Sequence, residues 1–158
     1  MGKVLLSISQ IADRDQREVV IPGDYAKIGD GAFRYCALLE KVVIPPSVTE
    51  IGEGAFRGCK ALAGVELPGS VTKIGWEEFR GCEALVSVVI PDSVTEIGHE
   101  AFFGCKALAR VDIPDSVTEI GKMAFDGCKA LEHLSVPKSA RWKKSAFENC
   151  PKLTITRR

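Results

Sequence analysis

Six cysteines, Cys36, Cys59, Cys82, Cys105, Cys128 and Cys150, are separated by 23, 23, 23, 23 and 22 residues. Spacing that regular marks a repeat period before it marks a disulfide pattern. Other residues fall into the same register. Phe33, Phe56, Phe79, Phe102, Phe125 and Phe147 each stand three places before a cysteine, and Leu39, Leu62, Leu85, Leu108, Leu131 and Leu153 three places after one. Pro22, Pro45, Pro68, Pro91, Pro114 and Pro137 keep the period throughout. So do Ile28, Ile51, Ile74, Ile97 and Ile120, each followed by glycine. The unit reads I-P-x-S-V-T-x-I-G-x-x-A-F-x-G-C-x-x-L-x-x-V-x. Self-similarity at this period excludes most globular architectures and leaves a stacked array, in which each unit buries its apolar face only against its neighbours.

Each unit predicts one coil of a right-handed spiral. L-x-x-V-x-I-P alternates apolar and variable residues, the period-2 pattern of a strand, and its proline ends the ladder. S-V-T-x-I is a second β-rich piece, and the glycine after it allows a sharp turn. A-F-x-G-C has the length of about one helical turn, with Ala, Phe and Cys inward. Stacking puts like residues together, so columns of Phe, Cys, Leu and Ile form the expected core. Thr49, Thr72, Thr95 and Thr118 are expected to form a hydrogen-bonded ladder. Lys27, Glu50, Lys73 and Glu96 alternate in sign from coil to coil until Glu96 meets Glu119.

Composition narrows the chemistry. The chain holds 21 Lys plus Arg against 21 Asp plus Glu, so no net field draws nucleic acid, and no nucleic-acid partner is expected. No apolar run is long enough to insert in a bilayer. Val4, Leu5 and Leu6 precede Asp13 too closely for a signal-peptide core. The chain as written is therefore expected in the cytoplasm, or at the cell surface or secreted if it is a fragment of a larger protein. The cysteines lack a C-x-x-C pair and only two histidines are present. Buried free thiols are expected, with no metal and no cofactor.

The pattern I-G-x-x-A-F-x-x-C-x-x-L-x-x-I-x-I-P resembles the leucine-rich repeats of the BspA type, also called the Treponema pallidum type, over residues 19 to 156. The resemblance implies an arc with a parallel sheet on its concave face, short helical turns on the convex side and a protein-binding role. Many members of that family are cell-surface adhesins. One domain is expected, with residues 1–18 as an N-terminal cap whose VLLSISQI adds a strand over the first coil. Regular repeats occupy 19–136, and a shortened C-terminal repeat and cap occupies 137–158. There Trp142 takes the isoleucine slot and closes the last coil, while Lys143, Lys144, Arg157 and Arg158 face water.

Differences among the copies fall in two stripes expected mostly in solvent. On the concave sheet, Lys41, Gly64, Ser87, Arg110 and His133 form one column, and Val43, Glu66, Val89, Asp112 and Ser135 the other, with a shallow saddle at Gly64 and Ser87. On the convex side the third full copy reads IGWEEFRGC, where Glu78 replaces an alanine kept by its neighbours. Trp76, Glu78, His99, Phe103 and Met123 are expected to share one convex patch, with the Glu78 carboxylate turned to water, to Arg80 or to a neighbouring lysine. His99 and His133 lie on opposite expected faces, and no nucleotide-binding glycine motif appears, so the chain is not expected to be an enzyme. The leading expectation is a non-catalytic protein-binding scaffold, as a recognition module of an adhesin. Two alternatives remain: a self-associating, structural or artificial consensus-like repeat array without an evolved ligand, with the Trp76 patch as the surface that would join copies, and a small cytosolic inhibitor or immunity-type binder.

Overall fold

The computed structural model describes residues 2–158. Its strands are short and almost all parallel repeats of two positions in the unit. The L-x-x-V segments give β2 (Glu18–Val20), β4 (Lys41–Val43), β6 (Gly64–Glu66), β8 (Ser87–Val89), β10 (Arg110–Val111), β12 (His133–Val136) and β13 (Thr154–Arg157). These pair in the order β13-β12-β10-β8-β6-β4-β2 as one seven-stranded parallel sheet, the concave face of the array. The S-V-T-x-I segments give β3 (Tyr25–Ile28), β5 (Glu50–Ile51), β7 (Lys73–Ile74), β9 (Glu96–Ile97) and β11 (Glu119–Ile120). They form a lateral ladder split into two three-stranded sheets, β1-β3-β5 and β11-β9-β7. The first of these includes β1 (Lys3–Leu5), which pairs with β3 as the covering strand expected of the N-terminus. A 3₁₀ turn at Ile8–Gln10, held by a Ser7–Gln10 capping box, buries Ile8 beside it.

The registers are those of the repeat. Ile28 lies opposite Ile51, and Ile74, Ile97 and Ile120 are matched in turn. The core is therefore a set of columns. Neighbouring phenylalanine rings from Phe33 to Phe147 stack with centroids 5.0 to 5.5 Å apart and planes within 14°. All six cysteines are free, and Cys59, Cys82, Cys105 and Cys128 are fully buried. Each of these four donates its Sγ–H to the carbonyl of the phenylalanine one coil back, at 3.0–3.2 Å. Burial pushes the thiols up, Cys82 to about 12, so they are inert apolar fillers with one weak hydrogen bond. The threonine ladder is indirect: Thr49, Thr95 and Thr118 hydroxyls donate to main-chain carbonyls of the preceding coil at 3.3–3.4 Å.

The convex side differs from the expectation of short helical turns. A-F-x-G-C is a run of tight turns in which alternate amides face two ways. Ala32 and Cys36 N–H bond within their own coil, to Gly29 and Phe33 carbonyls. Gly31, Phe33 and Tyr35 N–H bond to Glu53, Ala55 and Arg57 carbonyls of the next coil. A helix would turn all of these inward. The left-handed backbone at two places per turn, for example Gly54 and Gly58 with φ of +59° and +72°, stops it. Among the described residues, the one turn of 3₁₀ form on this side is Lys144–Phe147 in the last coil. There Trp142 packs edge-on against Phe147, closing the coil as expected. Arg157 and Arg158 do not simply face water. Arg157 lies 4.0 Å over the Trp142 ring, and Arg158 reaches back to Asp115 and the Ser135 hydroxyl on preceding coils.

Candidate protein-binding surfaces

The concave columns stand where the sequence puts them. Alternation in β4, β6 and β8 buries Val42, Val65 and Val88 and turns their neighbours outward. Val43 and Val89 are exposed, at 43% and 56%. Gly64 pairs with Lys41 on one side and Ser87 on the other. With no side chain there, a groove of about 710 Å³ opens among Lys41, Val43, Gly64, Glu66, Ser87 and Val89. Arg110 and Asp112 continue the two columns as exposed side chains, followed by His133, exposed, and Ser135, half-buried.

Among the described residues nine ion pairs are formed, including Lys27–Glu50, Lys73–Glu96 and Lys106–Glu83 between coils. A ladder on the convex side joins Arg57 to Glu77, Glu77 to Arg80 and Arg80 to Glu100. Among the described residues, Lys41, Glu66, Arg110 and Asp112 belong to no ion pair.

The convex residues meet different surroundings. Trp76 is 53% exposed and walls a hollow of about 270 Å³ with Asp30, Arg34, Glu53 and Glu77. His99 accepts the Lys122 N–H through Nδ1 at 3.2 Å and lines a separate hollow with Glu119, Arg141 and Trp142. Phe103 is half-buried, with the Arg80 guanidinium 4.6 Å from its ring centre. Met123 is half-buried in a left-handed conformation, φ +56°. Two variable positions are not in solvent at all. Asp126 is buried and accepts from the Asn149 amide at 2.8 Å.

Glu78 overturns the expectation of an outward carboxylate. It is fully buried in the alanine slot of its coil, away from Arg80. One oxygen, Oε2, accepts the Gly75 N–H at 2.7 Å, while Oε1 has no partner. Burial pushes its pKa up to about 8, and the Gly75 bond offsets this only in part. At neutral pH the group sits in the core as a neutral acid, which is how the chain tolerates it.

A model of the BspA type leucine rich repeat region matches residues 18–154 in six copies. The chain is a BspA-type leucine-rich repeat protein. Two crystal structures resemble it closely. A leucine-rich repeat protein from Bacteroides ovatus is 39% identical with a TM-score of 0.84, over 87% of this chain and 39% of that one. The T. pallidum leucine rich repeat protein is 32% identical with a TM-score of 0.81, over 89% of this chain and 69% of that one. A third, from Eubacterium ventriosum, is 28% identical with a TM-score of 0.65, over 89% and 44% of the two chains. This leucine-rich repeat chain thus spans about two fifths of the Bacteroides protein's length. No curated protein matches it. Such repeats are generally non-enzymatic protein-binding scaffolds, and here His99 and His133 lie on separate faces, one on a convex turn and one in β12.

Proposed function

We propose that this leucine-rich repeat chain is a non-catalytic scaffold that docks a partner protein on its concave sheet, as one module of a surface recognition protein. The carrying observation is the open groove of the concave sheet at Gly64, where exposed Val43 and Val89 stand beside Lys41 and Glu66, charges that no ion pair among the described residues occupies, and Arg110 and Asp112 continue the same two columns. Charges held in place without partners set register and orientation for a docking surface, and the exposed valines supply area.

Panning a random-peptide display library on the parent chain tests this. Selected clones are expected to lose binding at least about 10-fold to Lys41→Glu with Gly64→Arg, the loss of roughly one hot-spot contact. Binding to Trp76→Glu should be unchanged. Clones that ignore the concave pair, or are lost with Trp76→Glu, would sink the reading. Trp76 itself, a large aromatic half in solvent, is the place where a second copy would dock. Light scattering of the parent against Trp76→Glu with Phe103→Ser reads that directly, a dimer becoming a monomer if the patch joins copies.

A further inference from the structure

The split in the lateral ladder falls at one junction, and Glu78 sits in it. At four other junctions the glycine of the Ile-Gly pair, or its equivalent, donates its N–H back one coil: Gly29 to Leu5, Gly52 to Ile28, Gly98 to Ile74 and Gly121 to Ile97, at 2.7–2.8 Å. Gly75 instead donates to Glu78 Oε2, and the Ile51 carbonyl loses that donor. Thr49, Thr95 and Thr118 N–H each bond to the coil before at 2.9 Å; among the described residues Thr72 makes no such bond to Thr49. β5 and β7 do not pair. Glu50 and Lys73, opposite in charge, form no ion pair although each is paired on its other side. The spacing agrees. A Cβ placed on Gly98 would lie 2.9 Å from the Ile74 oxygen, whereas one on Gly75 would lie 3.7 Å from that of Ile51.

The convex side of the same junction is intact. Gly54, Phe56 and Gly58 N–H reach the Trp76, Glu78 and Arg80 carbonyls at 2.8–2.9 Å, and Phe56 stacks on Phe79 at 5.4 Å. The concave side is held by a single matched pair, Lys41 with Gly64, where the junctions on either side have three; β10 and β12 also share a single pair, so it is the missing lateral ladder that sets this junction apart. That pair lies in the groove.

We propose that the array is jointed at this seam. Glu78 is a wedge that takes over the Gly75 amide, keeps β5 from β7, and leaves the two halves free to open and close about the convex ladder. The movement sets the width of the groove at Gly64, so Glu78 is a positioning residue for whatever enters there. The joint stands apart from any partner; its consequence for docking rests on the concave sheet being the docking face.

Amide exchange followed by NMR tests the joint without a partner. In the parent the Thr72 amide is expected to exchange roughly 100-fold faster than those of Thr49, Thr95 and Thr118, as a locally open site does. In Glu78→Ala, with the alanine of the sister coils restored, Thr72 should slow to within about 10-fold of them. Glu78→Gln, which keeps the acceptor and the bulk, should leave it fast. A parent Thr72 as slow as Thr95, or a Glu78→Ala variant in which it stays fast, overturns the joint. If Glu78→Ala closes the seam yet concave-face binders hold with unchanged affinity, the link to the groove is wrong and the joint remains. If no concave binder exists while Thr72 behaves as expected, the functional reading fails and the joint does not.

Discussion

Glu78 makes the stability of this chain depend on pH in a known direction. Its folded pKa of about 8 lies above its ordinary value of 4.5, so the native state holds the proton more tightly than the unfolded chain. For a raised pKa the contribution is fully present below about pH 4.5, falls as the unfolded form ionises, and levels off above about pH 8. The difference corresponds to something on the order of 5 kcal/mol, at about 1.4 kcal/mol per unit. Urea denaturation at pH 5 and pH 8, where the unfolded thiols with their ordinary value of 9.0 are still mostly protonated, should therefore show the parent less stable at the higher pH, and Glu78→Ala much less sensitive. The other titratable group electrostatically linked to Glu78, the Cys82 thiol, is pushed to about 12 and stays neutral across this range. Equal pH dependence in the two proteins would mean that Glu78 is not the titrating group. The sequence pointed to position 78 by its break with the repeat, but not to where the carboxylate goes. Charge argues outward, and the inward solution exists only because the Gly75 N–H, normally spent on the coil before, supplies a donor three residues away.

Turns and strands were legible to different degrees. Concave strand positions follow from period-2 alternation ended by proline, and β2, β4, β6, β8, β10 and β12 lie where that pattern puts them. The convex turn was not legible, because A-F-x-G-C suits one helical turn and a stacked turn equally well. The left-handed site at Glu77, Glu100 and Met123 is hidden too, since only the first two copies, at Gly31 and Gly54, place glycine there. The G-C glycines and the I-G glycines serve different ends, and two substitutions separate them. Gly104 has φ of +69° and open space where a Cβ would go, so Gly104→Ala meets backbone strain alone and should cost about 1 kcal/mol. Gly121 has ordinary φ, but a Cβ there would lie 2.6 Å from the Gly98 carbonyl carbon and the His99 nitrogen. Coils must separate to admit it, and Gly121→Ala should cost about 3 kcal/mol. Thermal melts read both, at about 2–4 °C per kcal/mol for a chain of this size. A Gly121→Ala melt no lower than that of Gly104→Ala would show that the coils are less closely stacked there. In the phenylalanine column, Phe102→Ala removes a fully buried ring stacked on both sides and should cost about 3–5 kcal/mol.

At the scale of the molecule, a stacked array is held together junction by junction, and its cooperativity is only as good as its weakest interface. The repeat makes the junctions look alike in sequence, and at that level they are: the cysteine, phenylalanine and leucine columns run through every one. The structure distinguishes them by main-chain bonds the repeat does not encode. Between β5 and β7 the lateral ladder is missing, and between β4 and β6 the concave sheet is thin. The array should then open in two units, roughly residues 19–62 and 87–136, rather than as one. Native-state hydrogen exchange followed by mass spectrometry reads the two spans separately. In the parent, peptides from the first span are expected to exchange about 10-fold faster than those from the second, because fewer coils hold them once the seam opens, a tenfold difference being about 1.4 kcal/mol. In Glu78→Ala the lateral ladder closes, the coils couple across the junction, and the two spans should converge on one rate and one denaturant dependence. Convergence already present in the parent would mean that the phenylalanine stack and the convex ladder alone carry cooperativity across the junction, with the lateral sheet contributing nothing to it.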